Sequence, residues 1–142
     1  LPDLRAVVIC PSNPFLSIDP ILALAGFRQA LMDGKAPVIA VSPIIGGEAV
    51  KGQTAKIMTE LSMPSTARAV AEYYGDLIDG FVFDQDDEAE ASGASLPYLV
   101  TQTLMDSLED RKTLASDILA FADELRTRPA EAGLAEEKQG KG

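Results

Sequence analysis

Histidine is absent from this 142-residue sequence, and cysteine occurs only once, at Cys10. Without histidine there can be no Ser-His-Asp or Cys-His catalytic group, no histidine metal site and no histidine general base. A single cysteine forms neither an internal disulfide nor a thiolate zinc site. A lone cysteine at a strand end is typical of a small buried residue in a reducing compartment, so we expect Cys10 to be buried and the protein to be cytoplasmic.

Positive charge is also scarce, since 12 Lys and Arg residues stand against 22 Asp and Glu residues, giving a net charge of −10. No basic stripe exists to neutralise the phosphates of nucleic acid or of an anionic membrane surface, so neither partner is expected. The sequence has no run close to the roughly 20 apolar residues of a membrane span. It lacks an initiating Met and opens almost at once on an apolar run, so we expect a piece of a longer polypeptide.

What the sequence does contain is a regular alternation of short apolar runs and helical patterns. The runs at 6–9, 37–41, 81–83 and 97–100 predict strands, and apolar spacing predicts helices over 21–32, 53–61, 66–74 and from Ser107 to 125. Ser65 is predicted to cap the helix over 66–74, and Ser107 with Asp110 resembles a capping box at the start of the last helix. This alternation indicates an α/β domain with a parallel sheet and flanking helices. The domain is expected to span 1–126, and the composition of 127–142 predicts a disordered tail.

The most informative stretch is the loop after the first strand, Cys10 to Pro20, with the sequence CPSNPFLSIDP. It lies at the carboxyl end of a parallel strand, where ligands usually bind. Ser12, Asn13 and Ser17 can each donate and accept hydrogen bonds within a frame stiffened by proline. Asp19 is predicted to cap the next helix, with proline at its first position. The alternative is a well-capped turn that binds nothing.

A second loop of the same kind follows the second strand, from Ser42 to Gly52. Its Gly46-Gly47 pair can approach a ligand closely or adopt positive φ without penalty. Lys51, just before a helix, can place a positive charge beside a phosphate, aided by the helix N-terminus. The alternative is a glycine-rich turn followed by a solvated lysine.

An acidic stretch follows the third predicted strand, from Asp84 to Glu90. It suggests Mg²⁺ binding, although crowded carboxylates more often form a solvated helix start favoured by the helix dipole. Tyr73 and Tyr74 are expected to pack in the core rather than stack on a ligand. No residue is an evident general base, so the sequence favours binding over chemistry.

An ordered series of motifs resembles the 2-phospho-L-lactate transferase family, called CofD, or FbiA in actinobacteria. The resemblance covers about 5–125 and is more specific than any single motif in it. Its matching segments are 11–14 (PSNP), 17–18 (SI), 20–22 (PIL), 36–38 (APV), 41–44 (VSPI), 46–47 (GG), 49–52 (AVKG), 55–56 (AK), 74–76 (YGD), 79–82 (DGFV), 103–105 (TLM) and 108–111 (LEDR).

This resemblance implies a Rossmann-like α/β fold and a Mg²⁺-dependent transfer. A phospholactyl or phosphoenolpyruvyl group moves from a guanosine diphosphate conjugate to the ribityl hydroxyl of a deazaflavin, in coenzyme F-420 biosynthesis, and GMP leaves. The residues carried over as lining the guanosine nucleotide are Ser12, Asn13, Pro14, Ser17 and Ile18, with Ser42, Pro43, Gly46, Gly47 and Lys51 forming the neighbouring wall. The family also implies a homodimer, and no catalytic residue is assigned.

The sequence departs from the family pattern in two places. The glycine-rich strand and loop at the start of family members, and the acidic residues after it, are absent. We therefore expect a C-terminal half that lacks the residues for metal and acceptor and is inactive alone. Asp19 stands where a smaller residue is expected, and its charge would repel a phosphate on that helix N-terminus.

Two other readings of the sequence stay open. One is a nucleotide-sugar-binding regulator of the related gluconeogenesis-factor family, which would prefer uridine to guanosine ligands. The other is a non-catalytic structural fragment, which would bind no nucleotide.

Overall fold

The computed structural model describes residues 3–49 and 52–128. In chain order the strands are β1 (Val7–Ile9), β2 (Val38–Val41), β3 (Ile44–Ile45), β4 (Glu48–Ala49), β5 (Gly80–Asp84) and β6 (Tyr98–Thr101). The α-helices are α1 (Asp19–Leu22), α2 (Phe27–Met32), α3 (Gln53–Glu60), α4 (Ala67–Tyr74), α5 (Glu88–Ala91) and α6 (Leu108–Thr127). A π-helical turn spans Pro14–Ile18, and 3₁₀ turns span Gly75–Leu77 and Gln85–Asp87. None of the helices described has the length and apolar character needed to cross a membrane.

Four strands form one sheet in the order β1-β2-β5-β6, and every neighbouring pair is parallel. The remaining two, β3 and β4, form a small antiparallel hairpin. The predicted α/β fold with a parallel sheet and flanking helices is therefore confirmed. The strand order advances in one direction along the chain, which sets the carboxyl ends of β1 and β2 side by side. Of the predicted tail, 129–142 lies outside the described residues, and that prediction stays a prediction.

Both faces of the sheet carry a hydrophobic core. Along β2, Val38 and Ala40 face one core, whereas Ile39 and Val41 face the other. The first core is closed mainly by residues of α2, α3 and α4, and the second by α6. Every residue of β2 and β5 is buried, as expected for the central strands of a parallel sheet.

The first helical segment differs from its prediction. Helical geometry begins earlier, at the π-helical turn, and Asn13 is its N-cap. Asp19 lies inside the continuous helical run, so the prediction that it caps the helix is wrong. The predicted helix over 21–32 is also divided into α1 and α2, because Gly26 between them has a φ of +76°.

Two helix caps can be compared with their predictions. Thr66, and not Ser65, caps α4, since its hydroxyl accepts the N–H of Ala69 at 3.1 Å. The capping box of α6 is confirmed, because the Ser107 hydroxyl accepts the N–H of Asp110 at 3.1 Å and the Asp110 carboxylate accepts the N–H of Ser107 at 2.8 Å.

The prediction that Cys10 is buried is wrong, because this thiol is exposed. Cys10 follows β1, which is the edge strand of the sheet. Val8, which shares its side of the strand, is also 39% exposed. Helix α6 therefore leaves the carboxyl end of β1 uncovered.

The acidic stretch after β5 holds neighbouring segments in place through backbone hydrogen bonds. The buried Asp84 carboxylate accepts the N–H and hydroxyl of Thr103, both at 2.8 Å. Asp87 accepts the N–H of Gly46 at 3.1 Å, and Glu90 accepts the N–H of Arg68 at 3.1 Å, at the start of α4. These carboxylates fix the loop after β6, the β3–β4 turn and the start of α4 relative to β5.

Gly80, the first residue of β5, is a sensitive packing position. A Cβ built there would lie 2.7 Å from Cε1 of the buried Phe121 ring and 2.9 Å from Cδ1 of Leu125. We expect Gly80→Ala to lower the free energy of unfolding by about 1–3 kcal/mol, as overpacking does, measured by urea denaturation. Gly52→Ala is the control, because a Cβ there meets nothing within 4 Å. Equal losses in both variants would contradict the packing account.

Asp87 gives a prediction for the pH dependence of stability. Burial raises the pKa of its carboxyl above the usual 3.8, and the nearby Glu90 and Asp84 charges raise it further, against the lowering effect of the Gly46 N–H. A raised folded-state pKa stabilises the fold below the unfolded pKa, and this contribution is lost as the pH rises through the folded pKa. We therefore expect wild type to lose stability relative to Asp87→Asn between pH 3.8 and neutrality, measured by urea denaturation across that range.

Asp110 provides a control of opposite sign. Hydrogen bonds from the Ser107 side chain and backbone lower the pKa of its carboxyl, so its contribution is present above the unfolded pKa and is lost as the pH falls through the folded pKa. Wild type should gain stability relative to Asp110→Asn as the pH rises from acid towards neutrality. If the stability of wild type relative to each variant changed in the same direction with pH for both Asp87→Asn and Asp110→Asn, the raised pKa assigned to Asp87 would be refuted.

Candidate functional site

A cleft of about 190 Å³ opens where β1 and β2 end. The loop after β1 forms one side of it, and the loop after β2 and the start of α3 form the other. Its lining residues are Pro11, Ser12, Asn13, Leu16, Ser17, Pro43, Gln53 and Thr54. None of these eight residues is charged, so the described lining offers a ligand only hydroxyl, amide and backbone groups.

Asn13 is the most distinctive residue of the cleft. Its Oδ1 accepts the backbone N–H groups of Phe15 and Leu16, each at 3.0 Å. These two donors fix the orientation of the amide, because an amide nitrogen in that place could not accept them. The Nδ2 donor is buried and has no hydrogen-bond partner among the described residues. A buried donor without a partner is costly. Because Asn13 also lines the cleft, this donor is a candidate to bind an acceptor on a ligand.

The other residues predicted on the first loop divide between cleft and core. Ser12 and Ser17 line the cleft beside Asn13. Pro14 is buried at the start of the π-helical turn, and Ile18 packs against the core formed with α2, α3 and α4. Pro14 and Ile18 therefore support the loop from the core side and do not line the cleft.

The second loop contributes less to the cleft than its sequence suggested. Pro43 lines the cleft, but the Ser42 hydroxyl is buried and engaged with Ile44, donating to its carbonyl at 2.9 Å and accepting its N–H at 3.1 Å. Gly46 and Gly47 have φ values of +58° and +77° and form the two-residue turn of the β3–β4 hairpin. Of the two uses that the sequence left open for this pair, positive φ is therefore the one that the structure shows. Lys51 lies outside the described residues.

Four lining residues were missed by the sequence analysis, namely Pro11, Leu16, Gln53 and Thr54. Gln53 and Thr54 are the first residues of α3, whose N-terminus therefore borders the cleft. Helix N-termini favour anions because their first N–H groups lack intrahelical partners. The signal available in the sequence was the predicted helix start directly after a glycine-rich loop.

Asp19, expected to oppose a phosphate here, is not part of the cleft lining. Its carboxylate accepts the hydroxyl of Tyr73, whose ring packs edge-to-face on Phe15 with 4.8 Å between centroids. Burial, with this hydrogen bond, raises the pKa of Tyr73 to about 12. Tyr73 is 40% exposed, against its prediction, whereas Tyr74 is buried in the core as expected.

Carboxylate metal ligands do not converge in the described part of the chain. No group of three or more His, Cys, Asp and Glu residues there is arranged to hold a metal ion. The acidic stretch after β5 instead serves the backbone contacts described above.

Comparison with known proteins finds a family model and relatives that are named as transferases. Residues 2–119 match the family model described as 2-phospho-L-lactate transferase CofD. The chain is 39% identical over 119 residues to the 2-phospho-L-lactate transferase of Methanocaldococcus jannaschii, covering 84% of this chain and 38% of that protein. It is 40% identical over 124 residues to the phosphoenolpyruvate transferase of Kitasatospora aureofaciens, covering 84% and 39%. It is 42% identical over 120 residues to the 2-phospho-L-lactate transferase of Methanosarcina barkeri, covering 82% and 38%.

The chain spans about two fifths of the length of the curated relatives that it matches, in their C-terminal part. The matched residues include all six strands and the whole lining of the cleft. The match is therefore to the fold and to the candidate site together, and the chain belongs to the 2-phospho-L-lactate transferase CofD family.

Proposed function

We propose that this chain supplies the guanosine nucleotide loop of a transferase in deazaflavin coenzyme F-420 biosynthesis. The acceptor is the ribityl hydroxyl of 7,8-didemethyl-8-hydroxy-5-deazariboflavin. Its oxygen forms a bond to the phosphorus of the phospholactyl or phosphoenolpyruvyl group, the bond from that phosphorus to GMP breaks, and the hydroxyl proton is released. The names of the relatives, 2-phospho-L-lactate transferase and phosphoenolpyruvate transferase, support a transfer of this kind and leave both three-carbon donors open.

The observation that carries the proposal is the buried, unpartnered Nδ2 of Asn13, a residue that lines the cleft. The amide has already used its oxygen to cap the helical turn, so its remaining capacity is to donate a hydrogen bond. Phosphate oxygens, ribose hydroxyls and the guanine carbonyl are all acceptors. The Ser12 and Ser17 hydroxyls and the N-terminus of α3 add further donors for an anionic ligand.

The proposal gives this chain only one wall of the full site. Its cleft of about 190 Å³ is smaller than the 300–1,000 Å³ typical of small-molecule sites. Magnesium belongs to the proposed reaction, but the described residues offer no set of ligands that fits it. We therefore assign the metal ligands, the acceptor site and the catalytic residues to the part of the family polypeptide that this chain does not span. On this proposal the chain alone is inactive. Its location in the cytoplasm and its assembly as a homodimer stay predictions.

Calorimetric titration of the chain with GDP tests the choice of nucleotide. We expect saturable binding of GDP and no comparable binding of UDP-N-acetylglucosamine, because the proposed donor is a guanosine diphosphate conjugate. Titrations with and without Mg²⁺ should agree, since the described residues hold no metal set. Preference for the uridine ligand would overturn the proposal in favour of a nucleotide-sugar-binding regulator. If the chain bound neither GDP nor UDP-N-acetylglucosamine, the assignment of a nucleotide site that this chain forms by itself would be refuted.

Substitution of Asn13 separates its two roles. Serine retains an oxygen for the cap but lacks Nδ2, and its shorter side chain places no donor at that position, so Asn13→Ser should leave the free energy of unfolding nearly unchanged. Its Kd for GDP should rise about tenfold to a hundredfold, as expected for a lost hydrogen bond to a charged group. Asn13→Asp also keeps the cap and should weaken GDP binding further, because it sets a negative charge against the phosphates.

The matched control for Asn13→Ser is Thr66→Ser, a conservative change at the cap of α4, away from the cleft lining. Thr66→Ser should change neither GDP affinity nor stability appreciably. A normal Kd in Asn13→Ser would show that the free amide donor does not contact the nucleotide.

A further inference from the structure

Tyr73, near the end of α4, contacts the first loop of the cleft although it is not one of the residues that line the cleft. Its ring packs edge-to-face on Phe15, with 4.8 Å between centroids, and its hydroxyl donates to the Asp19 carboxylate. Phe15 is the second residue of the π-helical turn at Pro14–Ile18, and Asp19 follows the last residue of that turn. Tyr73 therefore contacts the turn near its beginning and directly after its end.

Asn13 is bound to the same turn through both of its oxygen atoms. Its side-chain Oδ1 accepts the N–H groups of Phe15 and Leu16. Its backbone carbonyl accepts the N–H groups of Ser17 at 3.0 Å and Ile18 at 3.3 Å. These hydrogen bonds fix Asn13 relative to the turn, so a shift of the turn would carry the amide with it. The position of the buried Nδ2 therefore depends on what holds the turn in place.

The core by itself holds only part of the turn. Pro14 is its one buried residue, two others are partly buried, and Leu16 is 59% exposed. Helix α4 is better anchored, since most of its residues are buried, but Tyr73 itself is 40% exposed. Filling the core therefore does not account for the whole Tyr73 side chain. Its contacts with Phe15 and Asp19 add a connection between α4 and the turn that the core does not supply.

We propose that Tyr73 is a positioning residue for the nucleotide site: it holds the π-helical turn against α4 and so keeps the Asn13 amide in place to donate to a ligand. The Tyr73 hydroxyl acts through Asp19, and its ring acts through Phe15. This role gives a reason for a carboxylate at position 19, where a smaller residue was expected. The effect of Tyr73 on nucleotide affinity rests on the proposed function, whereas its hold on the turn does not.

The variant Tyr73→Phe tests the proposal, because it removes the hydroxyl and keeps the ring. Calorimetric titration with GDP measures the Kd, and NMR measures hydrogen exchange at the Phe15 and Leu16 amides, which donate to Asn13. We expect the Kd and both exchange rates to rise about threefold to tenfold, the scale of one hydrogen bond. A small loss of global stability leaves nearly every molecule folded, so a purely structural role would not change the Kd.

The matched control is Tyr98→Phe. Tyr98 is 43% exposed, and its ring packs edge-to-face on Phe83 with 6.0 Å between centroids. It lies on β6, at the opposite edge of the described sheet from β1. Tyr98→Phe should therefore change neither the Kd for GDP nor exchange at the two amides of the turn.

Two variants of Asp19 test whether the hydroxyl acts through this carboxylate. Asp19→Asn keeps an oxygen that can accept the hydroxyl, so adding Tyr73→Phe should still raise the Kd and the exchange rates. Asp19→Ala removes the acceptor, so adding Tyr73→Phe should have no further effect. Comparison within each background cancels the effect of the Asp19 charge on an anionic nucleotide.

Several results would overturn the proposal. Unchanged exchange at both amides in Tyr73→Phe would show that the hydroxyl does not hold the turn, as would equal changes in Tyr98→Phe. Faster exchange with an unchanged Kd would leave Tyr73 a structural role only. If the wild-type chain bound no GDP, the proposed function would fail, and the exchange rates alone would decide whether Tyr73 holds the turn.

Discussion

Carboxylates that accept backbone N–H groups fix several segments of the domain relative to the sheet. Asp84, the last residue of β5, holds the loop beyond β6, Asp87 holds the β3–β4 turn and Glu90 holds the start of α4. At the opposite end of the sheet, Asp79 accepts the N–H of Val38 at 2.8 Å. A buried amide left unpaired costs about 1–3 kcal/mol, so each contact selects one loop position over its alternatives. These side chains therefore fix the positions of the segments that they contact relative to the sheet.

This use of the carboxylates explains how an acidic protein can have a neutral cleft. The net charge is −10, yet no acidic side chain belongs to the described lining of the cleft. The run from Asp84 to Glu90 resembles a metal site in the sequence, but the carboxylates of Asp84, Asp87 and Glu90 accept backbone N–H groups instead. Asp19 is likewise turned to Tyr73. An anionic ligand at this cleft would therefore meet neutral donors and a helix N-terminus, with little repulsion at short range.

The four strands of the parallel sheet and the α6 capping box could be predicted because their signals are local. The two-residue strands of the β3–β4 hairpin were not predicted, since they lie in a stretch assigned to a loop. The start of the first helix could not be predicted, because Asn13-Pro14 and Asp19-Pro20 are both pairs of a capping residue and a proline. Only the structure shows that the helical run begins after Asn13 and that the second pair lies inside this run. The sequence left open whether the glycine pair approaches a ligand or adopts positive φ, and the hairpin turn accounts for its positive φ without a ligand. Exposure of Cys10 depends on β1 being an edge strand, which is a property of strand order and not of local sequence.

The cleft and an apolar groove between β1 and α6 are two consequences of the same position of β1. As the first strand of an order that runs one way, β1 has its loop in the cleft, and its outer side has no neighbouring strand among those described. Cores on both faces of the sheet stabilise the domain without that outer side. The edge position of β1 therefore accounts both for where the cleft opens and for the exposure of Cys10, which lines the groove.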